Sequence, residues 1–363
     1  MKTFKYRIFP TKKQKRELDF QFLESKLVYN SLWSIRKQAY EKDKTTVSRY
    51  DCQKLIVQWK NNERPQLKKI HSQVLQEICH RLDLAFRSFF RRVKNHETAG
   101  YPRFKRDSFC SLSYPQSGYG FKNGKLYIAK IGEVKIKLHR AFFEKPKCLI
   151  VKKSTTGKYY VCFIVDEKYE KLVPNKNIIA FDLGIKSFLV TSENEFIDNP
   201  KYLEKKLKKL RNYSKQYSKT KSLKHRWKLN MLFEKVKNQR EDFQHKLSNR
   251  IVKENGVIIH EDLNIKKMLE NNDSRVLNRN ITDVSWNSFT SKLFYKAENA
   301  GRKIVRVNPA NTSNTCSKCG HSEKENRKTQ SEFLCLHCGF SENADYNASL
   351  NIKSLGMQAL ALA

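Results

Sequence analysis

IIAFDLGIKSFLVTS (residues 178–192) decides how the second half of this chain is read. An apolar β-run ends in an acid, Asp182, and at Gly184 the chain turns into a second apolar strand. A carboxylate among Ile, Ala and Phe is costly to bury unless a cation or hydrogen bonds compensate. Taken alone, Asp182 reads as a turn-forming residue at a strand end.

Two later stretches repeat the theme. GVIIHEDLN (256–264) brings another buried-looking strand to Glu261 and Asp262. Their side chains face opposite sides, so only one of them can join Asp182. NADYNASLNI (343–352) puts Asp345 near the start of an amphipathic helix, where a first-turn acid is also favoured by the helix dipole. Between these stretches strands alternate with helices, which predicts an α/β domain. Two acids at strand ends and one at a helix start, all in that domain, suit an RNase H-like nuclease core. Such a core needs carboxylates because hard Mg²⁺ takes oxygen ligands. Two ions roughly 4 Å apart can activate the attacking water and stabilise the leaving oxygen of a phosphodiester.

Just before Asp345, Cys316, Cys319, Cys335 and Cys338 form a Cys-x2-Cys-x15-Cys-x2-Cys series. Each pair offers two thiolates to one tetrahedral Zn²⁺, and a closed set of four leaves no open position, so the zinc is structural. Its expected role is to hold or gate substrate near the acids, or simply to staple a long insertion. The other five cysteines, Cys52, Cys79, Cys110, Cys148 and Cys162, are scattered singly and read mostly as buried thiols.

The charge of the 363-residue chain narrows its partners. Lys and Arg number 73 against 36 Asp and Glu, a net of +37. That surplus points to a polyanion, nucleic acid foremost, because cations on phosphates release counterions. No long apolar span speaks for a membrane, and the amino terminus lacks the apolar core of a signal peptide, so a prokaryotic cytoplasm or nucleoid is expected. The region from about Lys201 to Arg250 is strongly basic, and Lys206, Lys209, Arg211 and Arg226 are candidate phosphate contacts. Leu203, Leu207, Leu210, Tyr213 and Tyr217 make one apolar stripe there, and Leu223, Trp227 and Met231 begin another.

In the first half, FKYRIF (4–9) alternates as a half-buried strand does, and Thr11 with Gln14 makes a capping box that opens a helix. Helical patterns run to about Val93. Gly-, Pro- and aromatic-rich segments follow, then a hairpin expected around Thr156 and Gly157. A short strand, a helical insert and returning strands suggest a small β-barrel interrupted by a helical lobe. PNKN (174–177) reads as the linker to the α/β domain.

FDLGIK, HEDLN and DYNASLNI, with NPANTSNTCSKCG between the last two, resemble the RuvC-like nuclease domain of the TnpB (OrfB) family. These are transposon-encoded relatives of the type V CRISPR effectors. The resemblance spans nearly the whole chain: KYRIFPTKKQ with YNSLW, YPRFKRDSFCSLSYPQ, IAKIGEVKIKLHR and REDFQHKLSNRIV keep the family's order. It implies a β-barrel (wedge-like) domain at residues 1–10 and 96–173, and a helical recognition insertion at 11–95. The RuvC-like domain would take 174–310 and 341–363, with a zinc ribbon at 311–340. It implies that Asp182, Glu261 and Asp345 are the catalytic Mg²⁺ ligands, with Mn²⁺ as a substitute ion and Asp262 a neighbour. It further implies a guide RNA from the element's own end, a double-stranded DNA target beside a short transposon-adjacent motif, and a functional link to a transposase encoded nearby.

Two positions depart from the family's pattern. His260 stands where an aliphatic residue is usual, and Asn343 where an acid is expected. Three other readings remain open at this point: a guide-independent, structure-selective nuclease such as a junction resolvase, a compact type V CRISPR effector, and a non-catalytic nucleic-acid-binding regulator of transposition.

Overall fold

The computed structural model describes residues 1–106, 109–142, 144–167 and 171–361. The chain divides into two units, 1–168 and 169–363.

In the first unit, strand β1 (Lys2–Phe9) buries Phe4, Tyr6 and Ile8 and alternates outward between them, as its sequence predicts. Helix α1 (Lys12–Asp43) opens on the expected capping box: Gln14 N donates to Thr11 Oγ1, and Thr11 N to Gln14 Oε1. Helix α3 (Ser72–Lys94) packs against α1, and α2 (Arg49–Asn61) against α3. The strands β2 (Ser111–Tyr114), β3 (Tyr119–Lys122), β4 (Lys125–Ile128), β5 (Gly132–Lys137), β6 (Cys148–Lys153) and β7 (Tyr159–Val165) complete one sheet. Its order is β2-β6-β7-β1-β5-β4-β3, antiparallel throughout. β1 pairs with β7 from Lys2 to Ile8 and with β5 from Arg7 to Phe9, a change of partner along one strand that curls the sheet. The β6–β7 hairpin turns through Thr156 and Gly157, whose φ of 78° suits glycine. Cys52, Cys79 and Cys162 are buried, whereas Cys110 and Cys148 are only half-buried.

The second unit is built on a five-stranded sheet in the order β10-β9-β8-β11-β12. β8 (Ile178–Asp182), β9 (Ser187–Thr191) and β10 (Phe196–Asp198) form an antiparallel meander. After α4 (Leu207–Thr220) and α5 (Leu223–Glu254), β11 (Val257–Glu261) lies parallel to β8. Helices α6 (Ile265–Glu270), α7 (Arg275–Val284) and α8 (Trp286–Ala300) lead to β12 (Lys303–Val307), parallel to β11. A small hairpin, β13 (Glu332–Leu334) and β14 (Ser341–Asn343), precedes the last helix, α9 (Ala344–Ala361).

Each central strand buries both faces, which explains its continuous apolar run. Ile179, Phe181 and Ile258 pack with Leu247 and Ile251 of α5 and Phe289 of α8. On the other face, Ala180, Ile259 and Val307 meet Ile352 of α9. Gly356 lets α9 lie close on β11, since a Cβ there would sit 2.4 Å from Ile259 Cγ2. The stripe of α4 is shallow, with Leu210 alone buried, and the stripe at the start of α5 is buried only in part: Leu223 is 78% and Trp227 50% exposed, and Met231 is half-buried. Among the described residues, no helix is long and apolar enough to cross a membrane.

Candidate active site

The alternation that sends Ala180 and Ile259 toward α9 sends Asp182 and Glu261, two residues further on, to the same face. Both end their strands, and the β8–β11 register pairs the residues just before them, Phe181 with His260. Asp345 reaches them from the first turn of α9. Burial first, then the negative charges of Glu261 and Asp345, push the Asp182 carboxyl up from 3.8 to about 7, against the opposing charge of Arg327. Burial also raises Glu261 and Asp345. The structure thus brings the three predicted acids together. Asp262 points elsewhere, 3.6 Å from Arg306 Nη1 and largely exposed.

The acids are held by residues that sequence reasoning did not single out. Thr312 Oγ1 donates to Glu261 Oε1 at 2.5 Å and lowers its pKa against the effect of burial. Arg327, between the two cysteine pairs, donates from Nη2 to Asp345 Oδ1 (3.3 Å) and to Gln330 O (3.0 Å). Lys186, after the β8 turn, also favours ionised Asp345. The Thr312 loop is clamped by α9: Asn351 Nδ2 donates to Thr312 O (2.8 Å) and Thr315 O (2.6 Å), and Asn347 Nδ2 to Thr315 O (2.8 Å).

Both departures from the family pattern have a place in the structure. His260 lies on the opposite face, buried and stacked on Phe181 with ring centroids 5.8 Å apart. Its Nδ1 is 2.8 Å from Glu261 O; a carbonyl only accepts, so Nδ1 carries the proton, and burial lowers the ring's pKa. Asn343 caps α9, its Oδ1 accepting from Asp345 N (3.0 Å) and Tyr346 N (3.2 Å).

The four cysteines converge, all Sγ atoms lying within 4.8 Å of one another. The Cys316–Cys338 and Cys319–Cys335 Sγ separations are 3.7 and 3.6 Å. A tetrahedral ion with Zn–S bonds of about 2.3 Å needs edges of about 3.8 Å, so this knuckle fits Zn²⁺. Among the described residues it is the one His, Cys, Asp or Glu group gathered so tightly. The three carboxylates are close enough to repel but are not drawn in to that spacing. Their donor set is all oxygen and their negative charge exceeds what Arg327 offsets, which suits a hard cation.

A relative from Streptomyces pristinaespiralis, described as a putative RNA-guided DNA endonuclease, is 30% identical over 99% of this chain and 90% of its own length. The chain belongs to the TnpB (OrfB) family. InsQ of Escherichia coli K12, also described as a putative RNA-guided DNA endonuclease, is 28% identical over 99% of this chain and 94% of its own. Family models match at residues 1–45 (OrfB_IS605 helix-turn-helix domain), 159–272 (OrfB_IS605, probable transposase) and 286–352 (Cas12f1-like, TNB domain). In this TnpB-family chain residues 1–45 are one strand and one long helix. The solved structure of the mini-RNA-guided endonuclease CRISPR-Cas_phi3 aligns with a TM-score of 0.49 at 12% identity, covering 98% of this chain and 92% of that one; the assignment does not rest on it.

Of the four basic candidates, Lys209 and Arg211 on α4 and Arg226 on α5 are exposed, while Lys206 is half-buried in a 3-10 turn. None of the four is in an ion pair among the described residues.

Proposed function

We propose that this chain is an RNA-guided DNA endonuclease of the TnpB type, hydrolysing phosphodiesters at a single site formed by Asp182, Glu261 and Asp345. The observation that carries this reading is the crowding of the three carboxylates, with Asp182 raised to about 7. Strand order and acid placement support an RNase H-like (RuvC) core with an inserted zinc ribbon, and the curled sheet of the first unit supports a barrel-type wedge domain around a helical insertion. The proposed domain ranges are those given by the family resemblance.

The three acids would hold Mg²⁺, with Mn²⁺ as a substitute. When bound, such ions supply Lewis-acid stabilisation of the charge that develops on the phosphodiester oxygens. Thr312 holds one oxygen of Glu261 through its own hydroxyl, which would leave the other for a cation. Arg327 orients Asp345 and brings a positive charge to the edge of the site, where it would face a scissile phosphate. Water, rather than a side chain, is the nucleophile. Guide–target pairing would supply the sequence information while the protein grips the backbone of the heteroduplex. Lys206, Lys209, Arg211 and Arg226 are proposed as part of that grip. A functional link to a transposase encoded nearby belongs to the same proposal.

The reading is tested by purifying the chain, expressed with its native flanking DNA, in high salt and sequencing the nucleic acid that stays bound. The expected result is a discrete RNA whose 3′ end runs into the flanking sequence. A heterogeneous population stripped by salt would overturn the guided reading in favour of the unguided nuclease or the regulator.

A further inference from the structure

The cysteine knuckle grips the helix that carries Asp345. Ser317 N, inside the first cysteine pair, donates to Asn347 Oδ1 of α9 at 3.0 Å. Ala344 N, at the head of α9, donates to Ser331 O at 3.1 Å, and Arg327 reaches Asp345 from between the two pairs. The knuckle's own core is small: Cys316, Phe333 and Cys335 are buried with Ala344, and Phe340 packs on them. Below roughly 40 residues a fold needs a metal or disulfides to hold it, so the arrangement of the four sulfurs sets the knuckle's shape.

The four thiols differ in access. Cys319 and Cys338 are exposed, whereas Cys316 and Cys335 are buried. Each exposed sulfur lies beside a buried one from the other pair: Cys338 is 3.7 Å from Cys316, and Cys319 is 3.6 Å from Cys335. An accessible thiolate next to a resolving thiol is the arrangement that a peroxide converts to a disulfide. Cys52, Cys79 and Cys162 of the first unit are buried and lack that access.

We infer that the knuckle is a site of oxidation by hydroperoxides, and that pairing its cysteines crosswise switches the nuclease off. The exposed thiolate attacks the O–O bond and takes the terminal OH, becoming a sulfenic acid, while the remaining oxygen leaves and is protonated to an alcohol or water. The buried partner thiolate then attacks that sulfur, the disulfide forms, and the displaced hydroxide takes a proton as water. Each disulfide therefore costs two sulfurs two electrons and reduces one hydroperoxide. Two such events consume all four thiolates and leave none to hold the ion. A disulfide bond is far shorter than either separation, so each crosswise pair draws together and the loops bearing Ser317 and Arg327 move off α9. A misplacement on the order of 1 Å can lower a rate about 10²-fold. A dithiol and Zn²⁺ reverse the change. The inference rests on the zinc and nuclease readings and adds regulation to them.

Metal release, thiol pairing and backbone exchange test this alongside cutting. The chain, purified with the RNA it carries, is dosed with hydrogen peroxide in the presence of a chromogenic zinc chelator, and its disulfides are mapped by mass spectrometry. The expected result is loss of the bound zinc in step with pairing of Cys316 with Cys338 and of Cys319 with Cys335, the RNA being retained. Amide exchange in residues 311–347 should quicken roughly tenfold or more, while β8 and β11 keep their protection. Cutting should fall in step with zinc release, by about tenfold or more. Dithiothreitol with added zinc should restore metal, exchange and cutting together. Cys110→Ser combined with Cys148→Ser removes the two half-buried thiols of the first unit, and this variant should respond as the wild type does. Zinc retained at doses that oxidise Cys110 and Cys148 would overturn the proposal. So would zinc retained in the double variant, disulfides formed within a Cys-x2-Cys pair, or release that leaves exchange near Asp345 or cutting unchanged. Zinc release, crosswise pairing and faster exchange in a chain that cuts no DNA even before oxidation would keep the oxidation site and remove the nuclease reading.

Discussion

Thr312 donates its hydroxyl proton to Glu261 across 51 positions of sequence, at 2.5 Å and in a buried setting. The bond ties the loop that enters the cysteine knuckle to the end of the central strand β11. Thr312→Val keeps the shape and removes the donor, leaving a buried carboxylate short of a partner. Glu261, already raised by burial, should rise further. Cleavage at neutral pH should fall roughly tenfold or more, the scale of a hydrogen bond to a charged group. Because a raised acid ionises later, the pH–rate profile should move to higher pH. An unshifted profile would remove Thr312 from the site.

Asp182 gives the fold itself a pH dependence. Its carboxyl moves from 3.8 to about 7 on folding. Between those values the folded chain binds a proton that the unfolded chain releases, so stability is full below about pH 4 and is lost as pH rises through about 7. Asp182→Asn abolishes that loss. In chelator, the variant should melt above the wild type at pH values over 7 and converge with it near pH 4. Adding Mg²⁺ above pH 7 should raise the wild-type Tm and leave the variant's unchanged. Equal melting curves at all pH values would contradict the crowding.

Removing one thiolate should disconnect the knuckle from the acids. Cys335→Ser leaves three thiolates where a closed structural site needs four ligands. Elemental analysis should find one zinc per wild-type chain and less in the variant. Arg327 would no longer be held at Asp345, so cleavage should be lost while bound RNA is retained. Full zinc content in the variant would show that the four cysteines are not the ligand set.

Gly356 sets how closely α9, and with it Asp345, approaches β11. Gly356→Ala drives a methyl into Ile259 and should cost about 1–3 kcal/mol by urea unfolding. Ile259→Ala should cost less in the Gly356→Ala background than in wild type, because it makes room for that methyl. Additive effects would mean that the two residues do not press on each other.

Much of the site is legible in the sequence because its acids mark the ends of regular elements. Apolar runs announce β8 and β11, their terminal acids fall on one edge, and the period of two separates Glu261 from Asp262. The cysteine spacing announces the knuckle. Thr312 and Arg327 are not legible in this way, since each lies in a loop and acts through a contact that only the folded chain creates. The role of Asn343 is legible too, because an Asn just before a helical run is a capping signal in its own right. The apolar stripe begun by Leu223, Trp227 and Met231 is legible as a face, but its depth is not: helical periodicity finds a face without saying how far it is buried.

Cutting by wild type and Asp182→Ala, each purified with its own RNA, tests the central claim most directly. Both are incubated in Mg²⁺ with DNA that carries the complement of the guide beside its adjacent motif. The account predicts that both retain the same discrete RNA and that only the wild type cuts, with no product in chelator or on DNA lacking the complement. Equal cutting by Asp182→Ala would contradict it.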